Sequence, residues 1–256
     1  HGRKGKRNMH HHAYFNDKSD LYRDARPLYP PELFVYLAGL TNGHDAAWDC
    51  ATGNGQAAVG LASHYARVHA TDVSENQIAH ALPHPNVHYA VGDAENPDIA
   101  DASLDLVTVA QALHWFDYPR FWPAVKQRLK PGGVFAAWGY TWCNVTAEID
   151  QCLQRSVLDP IQPFWAPQNR LLWDGYTDVG FKLETIQPPP FELRMHWNLD
   201  QLFAYLHSWS ATRRCMETRG DAFFQAAYTA AIEVWGDPAQ AREVVMPLHL
   251  LVGRSR

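Results

Sequence analysis

No apolar run in this chain approaches the ~20 residues that a helical membrane span needs. Cysteine is scarce. The four residues Cys50, Cys143, Cys152 and Cys215 form no CxxC pair and no regular spacing, which excludes a disulfide framework and gives no zinc signature. They read as free thiols in a reducing compartment, so the expected location is the cytoplasm. Clustered positive charge is missing too: the formal net charge is −5, and the one basic run is His1–Arg7. A nucleic-acid surface needs grouped Lys and Arg, so nucleic acid is not expected as a partner, and neither is a membrane. Residues 1–13 read as a disordered or vector-derived leader, with His10-His11-His12 tag-like. His80, His84 and His88 have helical spacing, but Pro83 and Pro85 break any helix there and make the trio a surface loop. No metal site is expected. Internal repeats and low-complexity segments are also lacking, so residues 1–256 read as one domain.

What the chain does have is an alternation of short apolar runs with amphipathic stretches, the pattern of an α/β fold with a mostly parallel sheet. Strands are expected at Ala46–Cys50, Val68–Thr71, Val87–Val91, Leu104–Ala110 and Val134–Trp138, then at Lys182–Ile186, Phe191–Trp197 and Val244–Val252. Pro247 in the last marks an edge or a bulge. Helices are expected to start at Pro30-Pro31, at Gln56–Ala66, at Glu75–Leu82, and from an Asp117 cap to about Lys130, where Pro131-Gly132-Gly133 ends the turn. Further along, Thr146–Leu158, Leu199–Leu206, Ala211–Thr218 and Ala222–Trp235 are helical, while Pro160–Asp178 is irregular and rich in aromatics.

The most informative stretch is Asp49-Cys50-Ala51-Thr52-Gly53-Asn54-Gly55-Gln56, with Asp72 17 residues beyond Gly55 at the end of the next apolar run. An acid closes a strand, two glycines turn the chain, and a helix begins. That arrangement lets backbone approach a nucleoside while a second carboxylate accepts from ribose hydroxyls. The window Gly53–Ala58 also fits a nicotinamide-dinucleotide fingerprint. Asp49 separates the two readings, because an amino-acid tail on the ligand needs acceptors for its ammonium group. Asp93, after the third strand, is placed to accept from an adenine amino group.

In order and spacing, these motifs resemble the class I S-adenosylmethionine-dependent methyltransferases of the type 11 group, and within it the branch of trans-aconitate methyltransferase-like enzymes. The resemblance is carried by Asp49-x-Ala51-x-Gly53-x-Gly55, Thr71-Asp72-Val73-Ser74, Gly92-Asp93-Ala94-Glu95, Gln111-Ala112-Leu113-His114-Trp115-Phe116 and Arg128-Leu129-Lys130-Pro131-Gly132-Gly133. Tyr22-x-x-x-Arg26-Pro27-x-Tyr29-Pro30 and Ser208-Trp209-Ser210-Ala211 fit the same branch, and the likeness spans residues 14–253.

The resemblance implies a doubly wound seven-stranded sheet of order 3-2-1-4-5-7-6 with the last strand antiparallel, and a helical, aromatic cap built from 14–40, 142–177 and 198–241. It implies S-adenosylmethionine as cofactor and S-adenosylhomocysteine as product. Asp49 and the Ala51–Gly55 backbone would hold the methionine moiety. Asp72, Val73 and Ser74 would hold the ribose and adenosine, Asp93 and Ala94 the adenine, and Gln111 would face the sulfonium end. Tyr22 and Arg26 would fold over the cofactor from the N-terminal segment. Ala51 replaces the usual glycine and is tolerable if its φ stays negative.

His114 and Trp115 are candidates for the reaction pocket, with His114 as a base if the substrate needs one, and Arg213 is the candidate anchor for an acidic substrate. The expected activity is O-methylation of a small carboxylate by in-line displacement. A non-catalytic binding protein and an NAD-dependent oxidoreductase are the rivals. The oxidoreductase leaves Asp49, Asp93 and the Lys130–Gly133 turn unexplained.

Overall fold

The computed structural model describes residues 26–256, and the chain separates into two compact units. Tyr29–Thr141, Gln168–Glu192 and Pro247–Arg256 form a sheet unit; Trp142–Pro167 and Leu193–Met246, together with the segment ending at Leu28, form a helical unit.

The sheet unit opens with α1 (Pro31–Leu40), where Pro31 occupies a first-turn position that has no use for an N–H. Then come β1 (Ala46–Cys50), α2 (Gln56–Ala62), β2 (Arg67–Asp72), α3 (Glu75–Ala79), β3 (Val87–Val91) and β4 (Leu104–Ala110). A 3₁₀ turn at Leu113–Trp115 leads into α4 (Tyr118–Arg128) and β5 (Leu129–Tyr140). The chain returns to this unit with α6 (Asn169–Trp173), which follows α5 (Ala147–Leu153) of the helical unit, and with β6 (Glu184–Ile186). Strands β1 to β5 are parallel, and the last strand, β8 (Arg242–Arg254), runs antiparallel between β5 and β6. The order is β3-β2-β1-β4-β5-β8-β6. Without β7 (Glu192–Trp197), which pairs with β8 off this path, this is the expected 3-2-1-4-5-7-6 arrangement.

The central strands are buried on both faces, as parallel strands between helices must be. Six of the seven β4 residues are buried. The core on the α4 side joins Trp48, Val107, Phe121, Trp122, Phe135 and Leu172. Asp105 is the acid at the far end of β4. It accepts from the Asp45 and Ala46 N–H groups and pairs with Lys130 at 3.0 Å, which ties the N-terminal ends of β1, β4 and β5 together.

Several boundaries differ from the expectations. Helix α4 ends at Arg128, and Pro131-Gly132-Gly133 lies inside β5, where a register shift between Leu104 and Leu106 absorbs it. Asp117 occupies the N-cap position, but its side chain makes no capping bond. The last strand is interior where β5 and β6 pair it, between Leu248 and Arg254, and Pro247 lies just outside both pairings. It stands where the pairing to β5 ends, at Leu248. His88 lies in β3, so only His80 and His84 belong to a connection.

The helical unit contains α5 (Ala147–Leu153), β7 from Leu193 to Trp197, α7 (Leu199–Ser208), α8 (Ser210–Arg219) and α9 (Ala222–Trp235). The stretch expected as one helix to Leu158 changes at Gln154 into a π turn, Gln154–Leu158, a feature that often marks a functional site. The residues expected to be irregular hold a 3₁₀ turn at Gln162–Phe164 and, in the sheet unit, α6. Asn198 and Gln201 form a capping box that starts α7. No helix among the described residues is long and apolar enough to cross a membrane.

Candidate functional site

The C-terminal ends of β1, β2, β4 and β5 bring most of the sequence-selected residues to one edge of the sheet, where ligands of open α/β sheets sit. Asp49, in β1, is 1% exposed. Its register partner across to β4 is Thr108, whose hydroxyl donates to one carboxylate oxygen at 2.7 Å. The Thr52 hydroxyl donates to the other at 2.6 Å. Burial still pushes the carboxyl up from 3.8 to about 6, against those two bonds and with a further rise from Asp72.

The turn that follows has three left-handed residues: Ala51 at φ 55°, Gly53 at 58° and Gly55 at 88°. The condition set for Ala51, a negative φ, is therefore not met. This alanine carries the strain that a glycine would avoid, on the order of 1–2 kcal/mol. A methyl at Gly53 would meet open space, whereas one at Gly55 would overlap the Tyr89 hydroxyl. Tyr89 donates to the Leu82 carbonyl at 2.5 Å, and the Leu82 N–H returns to the Asn54 carbonyl at 2.8 Å, so β3 and its preceding loop hold the turn from outside.

Asp72 fixes the same turn. One carboxylate oxygen accepts from the Gly53 N–H and the other from the Ser74 N–H, both at 2.9 Å. A carboxylate has about four acceptor positions, so two remain for a ligand. Val73 beside it is 69% exposed, an apolar face next to a charge. Ser74 caps α3 by accepting from Gln77. Gly92 N–H bonds the Asp72 carbonyl, which brings exposed Asp93 and buried Ala94 to the neighbouring strand end.

At the end of β4, Gln111 has φ 60°. Its amide oxygen accepts from the Tyr140 N–H at 2.7 Å and its nitrogen donates to the Tyr140 carbonyl at 3.3 Å, so a side chain joins the ends of β4 and β5. Tyr29 donates its N–H to Gln56 in α2 and sets its ring edge-on against Trp138, 5.6 Å between centroids. His114 lies in the 3₁₀ turn, 5% exposed, with Nδ1 lacking a partner among the described residues; the half-exposed Trp115 ring stands 4.7 Å from it. Burial lowers its pKa from 6.5 to about 4.

Residues 48–137 match the family described as methyltransferase domain, the type 11 group. A methyltransferase of Dictyostelium discoideum is 31% identical over 204 residues, which cover 77% of this chain and 78% of that one. The solved structure of a type II methyltransferase from Anaeromyxobacter dehalogenans is 36% identical, with a TM-score of 0.85, over 90% of this chain and 97% of that one. The chain belongs to the class I S-adenosylmethionine-dependent methyltransferases. A shorter match, 46% identical over 72 residues and 27% of this chain, is to the malonyl-[acyl-carrier protein] O-methyltransferase of Hahella chejuensis.

The residues of this methyltransferase fit S-adenosylmethionine, the cofactor of its class. The turn opens onto free space at Gly53, a carboxylate with spare acceptors stands beside it, and an apolar face follows at Val73. Two of the sequence-selected residues belong to the helical unit. Arg26 is exposed near the start of the described chain, and Arg213 is exposed on α8. Tyr22 lies outside the described residues. Arg214, next to Arg213, donates to the Phe164 carbonyl at 2.9 Å, and the Arg213 side chain has no partner among the described residues. In the same unit the Trp142, Trp165 and Trp209 rings pack together at 5.6–6.2 Å. Trp142, Leu153, Leu206 and Trp209 line a cavity of about 210 Å³.

Sequence reasoning missed Thr108 and Tyr89. Thr108 had a signal, as the one hydroxyl near the end of an otherwise branched, apolar strand. Tyr89 had none, because its role depends on an approach across 34 residues of chain.

The two titrating groups have opposite effects on stability. Between about pH 4 and 6 the folded methyltransferase keeps a proton on Asp49 that the unfolded chain has lost, so this group contributes less as pH rises through that window. Between about pH 4 and 6.5 the unfolded chain protonates His114 and the folded one does not, so this contribution is lost as pH falls. The two slopes offset each other. Against wild type, Asp49→Asn should lose stability on acidification from pH 6 to 4.5, and His114→Gln should gain it. Each change is at most about 1.4 kcal/mol per pH unit, read by urea unfolding. Parallel profiles for all three proteins would show that neither group titrates there.

Proposed function

We propose that this methyltransferase esterifies the carboxylate of a small molecule. The observation that carries the reading is His114. Buried and held near pKa 4, it is neutral at pH 7 and too weak a base to ionise an alcohol or a phenol. A carboxylate is already ionised at that pH and needs no base. Arg213, exposed on α8 with no partner for its guanidinium among the described residues, is suited to hold such a substrate. The similarity to a malonyl-[acyl-carrier protein] O-methyltransferase supports oxygen as the methylated atom.

In this reading Asp49 and the backbone of Ala51, Gly53 and Gly55 hold the methionine moiety. Asp72 accepts from the ribose hydroxyls, Val73 and Ser74 flank the adenosine, and Asp93 and the Ala94 backbone meet the adenine. Bound here, S-adenosylmethionine supplies an electrophilic methyl group on a sulfonium. Gln111 keeps the β4 and β5 ends at fixed spacing, so the residues that align the nucleophile do not drift. His114 and Trp115 shape the pocket and exclude water from it. Tyr29 adds an aromatic ring, held edge-on against Trp138, that favours a cation. The free thiols Cys50, Cys143, Cys152 and Cys215 suit a reducing cytoplasm.

The test is methyl transfer from labelled S-adenosylmethionine to matched sets of carboxylic acids, phenols and amines. The product should be a methyl ester, releasing labelled methanol in alkali; alkali-stable label on a phenol or an amine would overturn the reading. Arg213→Met should raise KM for the acid about tenfold and leave cofactor affinity alone. An equal loss of both would make Arg213 a structural residue.

A further inference from the structure

The sheet unit has a second concavity that none of the strand-end residues lines. It is a cavity of about 550 Å³ between α4 and the segment leading to β6. Tyr118, Trp122 and Lys126 follow one another at i, i+4 and i+8 along one face of α4, and Pro119 and Pro123 lie beside them. Asp178, Val179 and Lys182 form the opposite wall. The floor is fixed: Trp122 is 2% exposed and donates its indole N–H to the Val179 carbonyl at 2.8 Å. Tyr118 stacks on Trp122 at 17° and 6.3 Å, and Phe181 closes on Trp122 at 5.2 Å. From Tyr118 to Lys126 the groove is about 12 Å long, eight residues of helical rise.

Its charge is polarised. Burial raises the Tyr118 phenol's pKa and the nearby Asp178 adds to the rise, which puts the acid at that end. Lys126 and Lys182 stand at the other end and also line an adjoining cavity of about 490 Å³. Neither lysine has an ion-pair partner among the described residues. The other charges there are engaged: Arg256 pairs with Glu184 at 3.0 Å, and the Arg254 guanidinium donates to the Gly132 and Leu40 carbonyls. Two unpaired cations from different elements at the end of an apolar trough are complementary to one kind of occupant.

We propose that this groove binds a small amphipathic organic anion, an aromatic or medium-chain carboxylate, with its apolar body on Tyr118 and Trp122 and its charge between Lys126 and Lys182. The probe is anilinonaphthalene sulfonate, titrated by fluorescence into protein saturated with S-adenosylhomocysteine so that the strand-end site is closed to it. Decanoate should displace the dye, and decyltrimethylammonium at the same concentration should not. Lys126→Glu combined with Lys182→Glu should weaken dye and decanoate about tenfold, with S-adenosylhomocysteine affinity unchanged. Unchanged binding in the double variant, or equal displacement by the ammonium, would overturn the proposal. So would a parallel loss of cofactor affinity, which would locate the dye at the strand ends.

Discussion

Gly55→Ala is expected to lower S-adenosylmethionine affinity by roughly a hundredfold and to destabilise the cofactor-free protein by about 2–5 kcal/mol. Two separate causes add. The backbone at Gly55 has φ 88°, a left-handed conformation that costs a side-chain-bearing residue about 1–2 kcal/mol. The new methyl would also overlap the Tyr89 hydroxyl, and Tyr89 is not free to move aside, because it is bonded to the Leu82 carbonyl while Leu82 is bonded to Asn54 of the same turn. Relieving the overlap therefore displaces the turn itself, and with it the N–H of Gly53 that Asp72 receives. Gly53→Ala is the control, since its φ is 58° and its methyl would enter open space. In the cofactor-free protein it should cost about 1 kcal/mol by urea unfolding. Adding Tyr89→Val to Gly55→Ala should recover the overlap component and leave the dihedral one. Equal destabilisation by the two alanines would mean that Tyr89 is not a wall of the turn.

How much of this was legible in the sequence depended on how local each cause is. Strand β4 was read in full because Leu104, Leu106, Val107 and Val109 are apolar and branched, and burial on both faces of a parallel sheet selects for that. The turn after β1 and the carboxylate after β2 were legible because glycines and acids at strand ends have few other uses. Pro131-Gly132-Gly133 was misread as a terminator. Its local signal is correct, but the pairing of Leu129 with Leu104 starts the strand before the turn residues, and a bulge takes up the excess. The π turn at Gln154–Leu158 left no trace, since its residues keep the helical pattern of their neighbours. Pro247 read as an edge or a bulge because proline cannot donate to a ladder, and it stands where the pairing of β8 to β5 stops. At the site, Asp49 was found without the two hydroxyls that hold it. Thr108 meets it only through register, a long-range property, and Thr52, three residues along, meets it only because the turn folds back on the strand end. Ala51 was judged by what alanine prefers, whereas the Thr71 carbonyl, which accepts the Thr52 N–H at 2.8 Å, helps to impose the conformation.

Asp72→Ala should weaken S-adenosylmethionine binding at least tenfold, since hydrogen bonds to a charged acceptor contribute about 1.5–3 kcal/mol. Asp72 already has two partners within the protein. Its removal leaves the Gly53 and Ser74 N–H groups without their acceptor, and the turn loosens even if no ribose ever touches the carboxylate. Asp72→Asn separates charge from shape: one oxygen remains, but the amide presents a donor to one of two N–H donors, so the asparagine should recover little of the loss. The decisive comparison is between ligands. If the two spare acceptor positions of Asp72 receive the ribose hydroxyls, S-adenosylhomocysteine should lose at least tenfold on Asp72→Ala, and an analogue lacking both hydroxyls should lose much less. The difference between the two losses is the coupling between carboxylate and hydroxyls, free of whatever the turn contributes to both. Equal losses would remove the ribose from the role of Asp72 and leave the carboxylate as the clamp that holds Gly53 and Ser74 in place.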